Sequence, residues 1–236
     1  RWSIAACVAL AVVGGMVGHE YRDAWFSDYH SPYGQTQKIM LSDGSTLQLD
    51  ANTAVDVDFS QGQRRISVRK GQIHATVARD PARPFDVVTH GGTVRALGTA
   101  FNVRRDTEQV QVTVTEHVVR VSHSRTAQRA EVHEGQSLRY GSDGSVGAVT
   151  TAKLHTVAAW QRGYLAFDGQ PLADVVEELN RYRPGKIVVY SDSSKSRPVY
   201  LSLSISDMDL ALDMLRAMSG IRVQELAGGI ALVRQA

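Results

Sequence analysis

The sequence predicts a mainly β protein that closes with a small α+β unit, preceded by an N-terminal membrane helix. Three observations carry this. Apolar and polar residues alternate from Pro84 to Val121, with valines at Val110, Val112, Val114, Val119 and Val121. That alternation puts one face of a strand on a core and the other in water. Turn residues cut the run at His90-Gly91-Gly92, Gly98 and Asp106-Thr107-Glu108, so it reads as short antiparallel strands with no room for a helix. Beyond Trp160 the texture changes, and Leu172, Val175, Val176 and Leu179 recur at helical spacing.

Taken in order, the chain opens on an apolar run from Trp2 to Gly18, behind Arg1 and ahead of His19-Glu20-Tyr21-Arg22-Asp23. A spanning helix needs about 20 such residues. A secretory signal shares this look. The sequence begins without an initiator Met, which favours a single membrane anchor over 1–18, with Arg1 on the cytoplasmic side. Gly14 and Gly18 form a small-xxx-small pair that chance explains equally well. Residues 19–34 read as a linker rich in rings: Tyr21, Trp25, Phe26, Tyr29 and Tyr33.

The β pattern runs over 35–149. Gln37 to Leu41 and Ser45 to Asp50 flank Ser42-Asp43-Gly44, a hairpin signal. Ala54 to Phe59 follows, then Arg64 to Arg69, with Gly71 separating it from Ile73 to Val77. The prolines of Asp80-Pro81-Ala82-Arg83-Pro84 exclude a central strand there. After the valine-rich stretch come Ala130 to Val132 and Gln136 to Tyr140. Turn signals at intervals of roughly 8–12 residues predict one β-sandwich, barrel or stacked-hairpin domain. Residues 150–159 read as a second linker.

The closing unit, 160–236, begins with the strand Tyr164 to Phe167. A helix follows with Pro171 at its permitted first position; Asp174, Glu177 and Glu178 are expected to face water. Lys186 to Tyr190 and Val199 to Ile205 are strands on either side of a polar loop. A second helix carries Leu210, Met214, Leu215 and Met218, and Ile221 to Leu226 pairs with Ile230 to Val233. The order is β-α-β-β-α-β-β. Met208, Met214 and Met218 read as core filler.

No catalytic constellation is present. The chain has no G-x-S-x-G elbow, no G-x-x-x-x-G-K phosphate loop and no H-E-x-x-H. A net charge of +2, from 26 basic and 24 acidic residues, gives no basic footprint for nucleic acid. The single cysteine, Cys7, excludes an intrachain disulfide and a structural zinc set. His117, His123 and His133 share one β region, where scattered histidines explain them better than a metal does. No enzyme activity, cofactor or metal is expected. Two small β-rich modules behind an anchor are suited to binding and relay. A partner strand would add to an open sheet edge, and the candidates are Val199, Tyr200, Leu201, Ser202 and Leu203 on one strand and Ile230 and Leu232 on another.

Two stretches resemble a known family. The run Val94-Arg95-Ala96-Leu97-Gly98-Thr99-Ala100-Phe101-Asn102-Val103, with Arg83-Pro84-Phe85 before it and the valine run into Glu116 after it, resembles FecR/PupR-type sigma-factor regulators. Leu41-x-Asp43-Gly44-Ser45-x-Leu47-x-Leu49 resembles that family's opening hairpin. The family usually has Gly after the hairpin Glu, where this chain has His117; the position favours a positive φ, and His117 reads as a tolerated turn residue, not a ligand. Phe167-Asp168-x-x-Pro171-Leu172-x-x-Val175-Val176-x-x-Leu179 resembles the short domain named for secretins and TonB-dependent receptors. The resemblance implies a transmembrane anti-sigma regulator of iron-uptake genes, with residues 19–236 in the periplasm of a Gram-negative cell. It implies two partners: the signalling domain of an outer-membrane TonB-dependent siderophore transporter, and an extracytoplasmic-function sigma factor bound by a cytoplasmic segment. A cell-envelope glycan-binding module is the alternative, which the 7% aromatic content disfavours.

Overall fold

The alternation in the sequence becomes two sheets that share one strand. The computed structural model describes residues 26–126, 128–183, 185–190, 198–226 and 229–235. The expected anchor over 1–18 and most of the polar loop after Tyr190 lie outside the described residues. No helix among the described residues is long and apolar enough to cross a membrane.

The first strands are β1 (Tyr29–Ser31), β2 (Gln37–Met40), β3 (Thr46–Leu49), β4 (Thr53–Phe59) and β5 (Arg64–Thr76). Then come β6 (Phe85–Thr89), β7 (Gly92–Ala96), β8 (Ala100–Arg105) and β9 (Gln109–Glu116). The β domain ends with β10 (Val118–His123), β11 (Arg129–His133), β12 (Gln136–Gly141) and β13 (Thr150–Thr151). One sheet runs β1-β4-β5-β6-β7-β10-β11 and the other β2-β3-β5-β8-β9-β12-β13. Val110, Val112 and Val114 are fully buried, and with Leu47, Ile73, Phe85, Phe101 and Val121 they fill the space between the sheets.

Two features differ from the sequence reading. Gly71 does not separate two strands: β5 is continuous for 13 residues. Its first half pairs with β4 and β6, and its second half pairs with β3 and β8. Gly71 sits at the crossing with φ +87°, beside a register shift opposite Ala54. A bulge there bends one strand from sheet to sheet, and glycine accepts the φ that the bend needs. The strands are also not all antiparallel. β5 and β6 pair in parallel, Arg64 opposite Phe85 and Ile66 opposite Val87, because the proline-bearing segment 80–84 carries the chain back to start β6 alongside β5.

The segment after β12 carries more order than a plain linker. Thr150 and Thr151 pair with Ser137 and Gln136. A one-turn helix α1 (Leu154–Val157) and a 3₁₀ turn (Ala159–Arg162) follow. The closing unit is β14 (Tyr164–Gln170), α2 (Leu172–Leu179), β15 (Ile187–Val189), β16 (Val199–Ser204), α3 (Leu210–Ala217), β17 (Ile221–Glu225) and β18 (Ala231–Gln235). That is the β-α-β-β-α-β-β order read from the sequence. β14 pairs with β16, and β15-β18-β17 form a second sheet. The apolar stripes of both helices are buried at Leu172, Val175, Leu179, Ala211 and Leu215. Met208 is buried with them, and Met214 and Met218 pack against the cluster.

Candidate functional site

Two places stand out: the junction between the two parts, and the free side of β16. At the junction, the hairpin end after β3 supplies Asp50 and Ala51. Ala51 is fully buried and belongs to the apolar core of the closing unit. Asp50, fully buried, faces the end of α2. It accepts hydrogen bonds from the Tyr182 hydroxyl and from the Ala51 N–H at 2.8 Å. Arg181 Nη2 lies 3.1 Å from Asp50 Oδ2, and Arg181 also donates to Ala51 O at 3.1 Å and to Gln72 Oε1 at 3.1 Å. Arg181 reaches Glu178 at 3.6 Å, and Glu178 is bound by Arg104 of β8, which in turn holds Asp106 at 2.9 Å. Asp50, Arg181, Glu178 and Arg104, from three distant segments, therefore meet in one chain of charge, with the more exposed Asp106 at its end.

Burial pushes the Asp50 carboxyl up to about 6, against the pull of Arg181. Burial acts on Glu178 in the same direction, but Arg104 and Arg181 together outweigh it and hold that carboxyl below its usual range. Burial, then the Asp50 charge, pushes the Tyr182 phenol up, so it stays a donor. Glu178 is thus not the water-facing residue its helix position predicted; it is 8% exposed. The helical period marks the face toward the unit's own core, and the second face, docked on the β domain, has no apolar signature to betray it. The same is true of Asp50, Arg104 and Arg181, which no motif marks.

A cleft of about 670 Å³ adjoins this junction, lined among others by Asn102, Arg104, Gln111, Trp160, Phe167 and Glu177. Of its hydroxyls, Ser137 Oγ lies 3.0 Å from Thr113 Oγ1 and donates to Val112 O at 3.0 Å. Among the described residues no three His, Cys, Asp or Glu side chains gather to hold a metal. His117 sits in the β9–β10 turn with φ +64°. His123 is buried, its Nε2 3.2 Å from His90 O and its ring edge-on to Tyr140.

The predicted edge residues divide. Val199, Leu201 and Leu203 are buried on the inner face of β16, and Tyr200 is 65% exposed on the outer face with Ser202. β16 has β14 on one side and no strand on the other among the described residues. β14 is crossed at its end by the preceding segment, from which Lys153 Nζ reaches Asp168 O at 3.0 Å and Oδ2 at 2.6 Å. Leu232 does not lie on an edge, and Ile230 precedes β18, its carbonyl accepting from the Leu226 N–H at 2.8 Å. β18 is the middle strand of its sheet, and Leu232 stands between Val188 and Gln224. The parallel partner β15 comes from far away in the chain, so local sequence gave no sign of it.

Edges that must not pair are usually guarded by charge. β17 carries Arg222 and Glu225, β11 carries Arg129 and Glu131, β2 carries Lys38, and β1, β13 and β15 are at most three residues long. β16 reads Val-Tyr-Leu-Ser-Leu-Ser and carries none.

Comparisons with known proteins agree with this architecture. A search of curated proteins finds no match. Two crystal structures of a candidate anti-sigma factor from Parabacteroides distasonis ATCC 8503, at 1.65 and 2.50 Å resolution, share the fold with TM-scores of 0.76 and 0.74. Each is 21% identical and covers 88% of this chain and 98% of its own. Residues 27–120 match the model of the FecR protein family. Strands β1 to β9 and the Leu97-Gly98-Thr99-Ala100-Phe101 motif lie inside that range, so residues 27–120 are a FecR-type domain and the last strands of the sandwich lie beyond the match.

Proposed function

We propose that the chain is the signal-receiving part of a transmembrane anti-sigma regulator, and that it works by docking another protein and breaks no bonds itself. In this reading residues 1–18 anchor it in the inner membrane and residues 19–236 lie in the periplasm. The partner on the receiving side is the signalling domain of an outer-membrane TonB-dependent siderophore transporter. The responding partner is an extracytoplasmic-function sigma factor, reached through a cytoplasmic segment ahead of the anchor. The observation that carries the reading is the uncharged six-residue side of β16 that no strand covers among the described residues, in the unit that follows a FecR-type domain. An edge left without charge is suited to accept a strand, whose main-chain hydrogen bonds give affinity while pockets beside it read side chains.

The test is calorimetric titration of the purified chain with transporter signalling domains from the same organism. One of them binds at micromolar strength or better, and Ser202→Lys weakens that binding at least tenfold. If none binds, the partner is wrong; if one binds and Ser202→Lys has no effect, the partner stands and the edge is wrong.

A further inference from the structure

The outer face of the first sheet carries a row of charge that the docking reading does not use. Arg65 stands opposite Asp86, Asp86 opposite Arg95, Arg95 opposite Arg120, and Arg120 opposite Glu131, across five successive strands. Two residues along, Thr93 faces Ser122 and Ser122 faces Arg129. A shallow cleft of about 490 Å³ opens among these side chains.

The row is not internally balanced at its centre. Asp86 is committed to Arg95 through two bonds, Nε to Oδ1 at 2.7 Å and Nη2 to Oδ2 at 2.8 Å. Arg120 has one contact, 3.1 Å to Glu131, with both side chains more than half exposed, a pairing of little strength. No hydrogen bond or ion pair of the Arg129 side chain occurs among the described residues. Arg65 Nε is buried without a hydrogen-bond partner. Arg95 and Arg120 oppose each other directly, a destabilising like-charge placement. The cleft thus holds four arginines against one lining carboxylate, in a chain whose net charge is only +2.

Guanidinium forks match oxyanions in shape as well as charge. Arg95, Arg120 and Arg129 lie on three adjacent strands, a width of about 10 Å, which suits one compact group. An extended polyanion would run onto Asp86 at one end and Glu131 at the other. We propose that this spot binds a single phosphate-type oxyanion, held by Arg95, Arg120 and Arg129 with hydroxyls from Thr93 and Ser122. The group arrives either as free phosphate or as a phospholipid headgroup.

Two arms distinguish the sources. One titrates the full chain with inorganic phosphate and with sulfate in a calorimeter. The other sediments it with phosphatidylcholine vesicles, with and without phosphatidylglycerol, and counts as binding only the increase that phosphatidylglycerol brings, since the proposed anchor would hold to both. Saturable binding occurs in one arm, and Arg120→Gln with Arg129→Gln weakens it at least tenfold. Arg216→Gln with Arg222→Gln, the same charge change on the closing unit, leaves it within twofold. Phosphate alone marks a soluble ligand, and vesicles alone mark a headgroup. Binding in neither arm overturns the proposal, as does equal loss in both double variants or no loss in the first.

Discussion

Arg64 shows how one side chain can fasten several segments. It is fully buried, yet charged. It pairs with Asp43 of the β2–β3 turn at 2.8 Å, donates to Arg83 O at 2.8 Å and Ala78 O at 3.0 Å, and lies over the Phe85 ring at 5.6 Å. Burial would push the Asp43 carboxyl up, but hydrogen bonds from Ser45 and Arg64 outweigh it and hold the group low. Removing one partner of a buried pair strands the other. Arg64→Met therefore costs about 3–5 kcal/mol in urea unfolding, and adding Asp43→Asn recovers part of the loss. Titration gives a second prediction at this scale. His74 is pushed by burial down to about 4, so its contribution to stability is present above its ordinary 6.5 and is lost as pH falls through 4. Asp50, pushed up to about 6, works in the opposite sense: its contribution is present at acid pH and is lost as pH rises through 6. Between about pH 7 and pH 5, His74→Gln makes urea midpoints fall less on acidification than in the parent, and Asp50→Asn makes them fall more. Identical pH dependence in all three proteins would contradict both assignments.

Among the elements, β5 matters most, because every strand of both sheets is reached through it. A Cβ on Gly71 would meet Thr53 Oγ1 at 2.3 Å and Thr53 Cα at 2.7 Å, at a φ that side chains avoid. Gly71→Ala loses about 2 kcal/mol or more, measured by the same urea transitions, whereas the open Gly135 turn position has space for a Cβ and pays only for its φ. Period-2 alternation made most of the sandwich legible: Val110, Val112 and Val114 are buried as their spacing says. Gly71 misled because a glycine between two alternating runs reads the same whether it turns the chain or bends it. The parallel pairings β5–β6 and β15–β18 were illegible for a different reason. Pairing partners are chosen by packing, and a strand's own residues record only which face is buried. That is why Leu232 reads as an edge residue and is central, while β16 has no second strand beside it among the described residues.

At the scale of the whole molecule, the two parts are joined by more than a tether. Ala51 is inserted in the core of the closing unit, and Asp50, Arg181, Glu178 and Arg104 form a buried chain across the junction. The sequence carried no trace of that chain, since isolated charged residues have no period to reveal their burial. A junction built on charge is firm when complete and weak when broken. Calorimetry of the parent shows one cooperative transition, and Arg181→Met separates it into two; a single unshifted transition would mean that the junction contributes nothing. Such coupling gives a partner seated on the closing unit a mechanical route to the FecR-family domain. The most direct test of the whole account is hydrogen–deuterium exchange of the chain with and without the transporter signalling domain. The account predicts new protection at the amides of Val199–Ser204. Protection confined to the cleft lined by Asn102 and Trp160, or none on the closing unit, would contradict it.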